Sequence, residues 1–196
     1  GLLKHYKKFD ESDLNDPQDM DISKSGLIYV ADTLNRRILQ IDLNGKIINQ
    51  VDMKIISDND RILIKTVSVR NDGAVFTADF DNCIVYEFNS ELKKVRKIDF
   101  SSYKIHINVL RSVFALNDIL LLCTRGKSQV LMANYKGKII RSINCKKKSG
   151  LDWNHPVKIC RSKDKSFIIA DKENDRIVSL DKNLKSYSTP YDNINE

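Results

Sequence analysis

The chain has 196 residues, 41% of them hydrophobic and 30% charged, the composition of an ordinary folded domain able to bury a substantial core. A formal charge of +7 and a pI near 9.1 admit an acidic partner without requiring one. No apolar run approaches the roughly 20 residues of a membrane span, and Gly1-Leu2-Leu3-Lys4-His5 carries no signal-peptide pattern.

In chain order, one unit is written four times. Its reference positions are Ala31, Ala78, Cys123 and Ala170, separated by 47, 45 and 47 residues. A period in the mid-forties is that of a four-stranded propeller blade. Residues 1–10 read as the outer strand of a preceding blade, because Gly1-Leu2-Leu3 aligns with Gly45-Lys46-Ile47 and Gly137-Lys138-Ile139. Residues 15–52 read as a blade, with strands near 18–23, 27–31, 37–42 and 46–52 and turns at Ser25-Gly26 and Asn44-Gly45. Residues 62–100 form the next blade, turning at Asn71-Asp72-Gly73.

In the blade at 108–145, Val109-Leu110 and Val113-Phe114 also suit a helix, but the repeat register makes them a strand. The fourth blade, 155–189, closes on an outer strand at Lys185–Thr189. Runs such as Ile119 to Cys123 are apolar at consecutive positions, as strands buried on both faces between stacked blades require. The expected fold is all-β: a propeller of four-stranded antiparallel blades, about four of them present, forming part of a six-bladed ring.

Two sets of polar residues recur with the period. Asp32, Asp79 and Asp171 end the second strand, and Asn35, Asn82 and Asn174 sit in the turn that follows. Short polar side chains there accept backbone N–H groups and tolerate left-handed conformations. A carboxylate ring holding a metal would break at Thr124. Arg37 and Arg176 share another repeat position and are expected to pair with an acid of a neighbouring blade. The second repeat reads as having a shorter loop, with Cys83 in place of the arginine.

Cys83, Cys123, Cys145 and Cys160 lack metal-ligand spacing and read as reduced core thiols of a cytoplasmic protein. His5, His106 and His155 are too scattered for a metal triad. No Ser/His/Asp set, phosphate loop or carboxylate pair is recognisable. The expectation is therefore a chain that is no catalyst, with no cofactor, metal or small-molecule substrate and no membrane contact.

Tyr29-Val-Ala-Asp-Thr-Leu-Asn-Arg-Arg-Ile38, preceded by Pro17 and followed by Asn44-Gly45, resembles an NHL repeat. The unit from Pro156 through Ile168 to Ile177 is similar. The second repeat keeps Ala78-Asp79 and Asn82, while the third diverges, with Cys123-Thr124 for Ala-Asp and Lys127 for Asn. The resemblance implies the C-terminal propellers of tripartite-motif proteins, ubiquitin ligases whose propeller selects protein or RNA targets. No RING or B-box zinc ligands occur in this sequence, so ligase activity would lie outside the chain.

In such propellers the second-to-third-strand loops and the blade-to-blade loops share one face. That face would carry Arg36, Arg125, Lys127, Lys146, Lys147, Lys148, Trp153 and His155. A protein partner is the first expectation for it. Single-stranded RNA is the alternative, with cations on phosphates and Trp153 either stacking on a base or packed under the blade. A propeller lyase or lactonase is a third and weaker reading.

Overall fold

The computed structural model describes residues 14–57, 59–103, 107–143, 152–185 and 187–192. These residues form four sheets, each a four-stranded antiparallel meander. Blade 1 comprises β1 (Pro17–Ile22), β2 (Ile28–Asp32), β3 (Arg37–Ile41) and β4 (Ile47–Asp52). A short helix α1 (Met53–Ser57) leads to blade 2, made of β5 (Ile64–Val69), β6 (Val75–Asp79), β7 (Ile84–Phe88) and β8 (Lys94–Asp99). Blade 3 holds β9 (Leu110–Ala115), β10 (Ile119–Thr124), β11 (Gln129–Asn134) and β12 (Ile139–Ile143). Blade 4 holds β13 (Pro156–Arg161), β14 (Phe167–Asp171), β15 (Arg176–Leu180) and β16 (Tyr187–Asp192).

The fold is thus the all-β propeller expected, with four blades among the described residues. The segment at Leu110 is a strand, paired with β10 from Leu110↔Thr124 to Ala115↔Leu120. The last strand begins two residues later than expected, at Tyr187. The expected strand at 1–10 lies outside the described residues.

Hydrophobic layers join successive blades. Tyr29, Ala31 and Ile38 of blade 1 pack on Ile64, Val75, Tyr86 and Phe88 of blade 2. Phe76, Val85 and Ile98 of blade 2 meet Leu110, Leu120 and Leu122 of blade 3. Leu121, Cys123 and Val130 of blade 3 meet Phe167, Ile169 and Val178 of blade 4. Blades 2 and 3, packed between neighbours, therefore bury both faces, and alternation disappears from β6 and β10, whereas β14 and β15 of blade 4 alternate between buried and half-buried positions. Close approach also constrains the turns. Gly137, at φ +79, sits where a Cβ would lie 2.5 Å from the carbonyl oxygen of Asp99 in blade 2, so no other residue fits without displacing backbone.

The inner strands β1, β5, β9 and β13 surround the axis and are linked by a repeated bond. The third residue of each accepts an N–H from the fourth residue of the next: Val67 N donates to Asp19 Oδ2 (2.9 Å), Val113 N to Thr66 Oγ1 (3.4 Å) and Ile159 N to Ser112 Oγ (3.4 Å). The fourth third-position residue, Lys158, cannot accept. It instead donates to both carboxylate oxygens of Asp19, at 2.6 and 2.5 Å, joining blade 4 to blade 1 near the axis. Outward from that ion pair the seam is open. Met20 is 68% exposed, whereas its equivalents Val67, Val113 and Ile159 are 0%, 1% and 1% exposed.

Candidate functional site

One irregularity recurs in every inner strand. Pro17 pairs with Asp32 but Asp19 with Ala31, leaving Gln18 as an extra residue. Leu110 pairs with Thr124 and Ser112 with Cys123, leaving Arg111 extra. Pro156 pairs with Asp171 and Lys158 with Ala170, leaving Val157 extra. In β5 the same shift falls between Ile64 and Val67, a stretch that contains Lys65. A β-bulge re-aims the side chain it carries. Here Gln18, Lys65, Arg111 and Val157 converge, together with Asp19 and Lys158, on a cavity of about 310 Å³. It lies at the end of the axis where β1 begins and β2 ends, the end that also carries the β2–β3, β6–β7, β10–β11 and β14–β15 loops.

This mouth is cationic. The Lys65 Nζ lies 4.4 Å and the Arg111 guanidinium carbon 5.0 Å from the centroid of the Phe80 ring, distances at which a cation is attracted to the ring face. Arg111 Nε is buried and has no hydrogen-bond partner among the described residues. Burial and then the neighbouring Arg125 lower the Arg111 pKa from its ordinary value. His155 is affected similarly: burial first, then Arg111, lower its pKa, although Nδ1 lies 3.3 Å from Glu173 Oε1. Among the described residues no carboxylate forms an ion pair with Lys65, Arg111, Arg125 or Lys127.

The residues expected on the rim fare differently. Arg125 and Lys127 are exposed in the β10–β11 turn. Arg36 lies in the β2–β3 turn at φ 56, and its guanidinium donates to the Asp60 carbonyl in the blade 1–blade 2 linker. Lys146, Lys147 and Lys148 lie outside the described residues. Trp153 is not a surface platform. It is 5% exposed, packs in the blade 3–blade 4 core, and donates from Nε1 to the Ile143 carbonyl at 2.6 Å. His155, at φ 60, is half-buried next to the mouth, with Nε2 lacking a partner.

The repeat positions form local networks around each aspartate. Asp32 accepts from Asn15 N (2.8 Å), Asn35 Nδ2 (2.9 Å) and Arg37 Nε (2.6 Å). Asp171 accepts from Asn154 N (2.8 Å), Asn174 Nδ2 (2.8 Å) and Arg176 Nε (2.7 Å). Arg37 and Arg176 therefore pair with the aspartate of their own blade, and among the described residues no acid of a neighbouring blade pairs with Arg37. Their position directly opposite the aspartate in the hairpin register, Asp32↔Arg37 and Asp171↔Arg176, accounts for this.

In blade 2, Asp79 holds Asn82 Nδ2 at 2.9 Å but faces Ile84. The loop is not shortened: Cys83, at φ 58, occupies the place of Arg36, and Ile84 that of Arg37. Among the cysteines, Cys83 and Cys123 are buried, but Cys160 is exposed and lines a second axial cavity. It is no core thiol, because β13 turns that face toward the axis. Cys145 lies outside the described residues. The second cavity, about 690 Å³ at the opposite end, also includes Asp21 and Arg70. Asp21 is buried enough to raise its pKa, and Arg70 is paired with Asp72 at 2.7 Å.

Sequence reading missed Gln18, Lys65, Arg111 and Phe80. The available signal was a basic residue at the second place of two apolar inner strands, where a regular ladder has no room for an unpaired cation.

No protein-family model and no curated protein matches the sequence. Solved structures match its fold. A streptogramin B lyase superposes with a TM-score of 0.66 at 11% identity, over 88% of this chain and 53% of that one. The RRP9 WD40 repeats give 0.65 at 7% identity, over 92% and 52%. Myxococcus xanthus glutaminyl cyclase gives 0.64 at 9% identity, over 86% and 66%. The chain thus spans from about half to two thirds of the length of these propellers. Two of the three are named as enzymes, which overturns the expectation that this chain is no catalyst: the fold it rested on serves catalysis as well as other roles. What these structures share with the chain is the β-propeller fold.

Proposed function

We propose that this propeller is a recognition module that binds a protein partner through its loop-bearing face. One observation carries the reading: the cations of that face divide into two groups. Arg37 and Arg176 are committed to carboxylates of their own blades, whereas Lys65, Arg111, Arg125 and Lys127 have no ion-pair partner among the described residues. Conserving stability does not require cations in that state, and interaction surfaces use them to attract and orient a partner. The resemblance of blades 1 and 4 to NHL repeats supports the same reading. The ubiquitin-ligase role implied by that resemblance finds no support in these residues and forms no part of the proposal.

The test is comparative capture from a nuclease-treated extract. Wild type is set beside Arg125→Glu/Lys127→Glu on the loop-bearing face and Lys136→Glu/Lys163→Glu on the opposite face. A protein retained by wild type and by the second variant but lost from the first is the expected result. Equal capture by all three chains would refute the reading. Binding seen with an untreated extract but absent from the nuclease-treated one would assign the face to RNA instead.

A further inference from the structure

We propose that the axial mouth is a binding site for an anionic oxygen group, a carboxylate or a phosphate, held between Lys65 and Arg111. The proposal goes beyond partner recognition, because the site would bind such a group on a free small molecule as well.

Three independent features support it. The first is construction. A bulge at one place in the inner strands brings Gln18, Lys65, Arg111 and Val157 to a common point. Two cations, an amide and an apolar side chain surround it. The bulged side chains have no opposite partner in the sheet, so strand pairing does not account for their chemistry.

The second feature is the charge balance. Asp19 is the carboxylate that lines the cavity, and both of its oxygens are already taken. Lys158 Nζ reaches both of them, and Val67 N donates to Oδ2. Two further acids near the mouth are engaged elsewhere: Asp16 accepts from Gln18 Nε2, and Glu173 faces His155 and Lys172. None of these neutralises Lys65 or Arg111, and Arg125 adds positive potential next to Arg111.

The third feature is an unmet donor. Among the described residues Arg111 Nε is buried without an acceptor, and a buried donor left unsatisfied is unfavourable. The planar guanidinium fork matches a carboxylate or phosphate in bidentate geometry. Phe80 lies against both cations and holds them close despite their repulsion. A volume of about 310 Å³ falls at the lower end of the range for small-molecule sites.

The experiment is calorimetric titration of the 196-residue chain with inorganic phosphate and, separately, with succinate, at constant ionic strength so that general screening does not vary. Saturable binding of at least one probe is expected. Lys65→Met, which keeps an apolar cover over Phe80, should weaken it by about tenfold or more, the equivalent of one charge-assisted hydrogen bond. Arg111→Gln should do the same, and Lys136→Met at the opposite face should leave it unchanged. Circular dichroism identifies any variant that fails to fold, and Lys65→Met alone then decides. The stronger probe tells phosphate from carboxylate. Absence of saturable binding for both probes, or identical binding by folded Lys65→Met, overturns the proposal. A failure here leaves protein recognition by the outer rim standing, since that reading is tested at Arg125 and Lys127.

Discussion

Replacing Asp171 by asparagine should destabilise the propeller far more than the same change at Asp79. Asp171 and Arg176 have side chains 0% and 1% exposed, with Nε and Oδ2 2.7 Å apart. Asparagine retains one acceptor, which can keep the bond from Asn154 N. Its amide nitrogen would then face two donors, Asn174 Nδ2 and Arg176 Nε. Breaking a buried ion pair by removing one partner costs about 3–5 kcal/mol. For a domain of this size that is a fall in Tm of roughly 6–20 °C, at about 2–4 °C per kcal/mol.

Blade 2 provides the internal reference, because Ile84 stands opposite Asp79 and no guanidinium is stranded. Burial raises the Asp79 pKa above 3.8, against the opposing effect of its bonds from Asn82 and Asp81. Asp79→Asn should therefore change stability by no more than about 1 kcal/mol at neutral pH. The pH dependence has a definite sign. Relative to Asp79→Asn, the favourable contribution of Asp79 is complete below pH 3.8 and is lost as pH rises through the raised folded value. Paired thermal and urea denaturation of the two variants measures this. Equal losses at both positions, or a loss below about 1 kcal/mol at Asp171, would refute the reasoning, since the buried pair is what separates them.

Other outcomes follow from the same geometry. Trp153, the one tryptophan of the chain, should emit as a buried indole and resist iodide quenching; Trp153→Phe should lower stability by about 1–3 kcal/mol by removing the hydrogen bond to the Ile143 carbonyl. In a Cys145→Ser background, Cys160 should react with a thiol reagent in the native state, while Cys83 and Cys123 should react only on unfolding, burial holding the Cys123 thiol far above its ordinary pKa. Met20→Asp should change stability by no more than about 0.5 kcal/mol, whereas Val67→Asp, at the equivalent buried position, should prevent stable folding; comparable unfolding midpoints for the two would show that the seam is closed.

The propeller was legible because its signals are periodic. Asn44-Gly45, Asn71-Asp72-Gly73 and the apolar runs recur at one spacing, and the repeat register decided even the segment at Leu110, where local spacing suited a helix. Pairing within the blade was also within reach. Asp32 and Arg37 flank a four-residue turn, and residues that close a hairpin face one another. Trp153 was harder. It lies in the polar stretch Asp152-Trp153-Asn154-His155, and its burial depends on Ile143 and blade 4, which no local pattern reports. The mouth was least legible, because a bulge is a property of pairing register and not of composition. Lys65 and Arg111 look in sequence like ordinary strand residues.

The bulges have a consequence for how such a molecule changes over time. A residue on a regular rung answers to two neighbours across the sheet and one across the blade interface, so its replacements are confined to similar shapes. Gln18, Arg111 and Val157 have no opposite partner in the sheet, and Lys65 lies in the one irregular stretch of its strand. That these places hold an amide, two cations and a valine, while the rungs after them remain Met20, Val67, Val113 and Ile159, is what such a division of constraint produces. The mouth is a set of positions outside the regular ladder, so they can be replaced, or engineered, without changing the strand pairing that holds the fold.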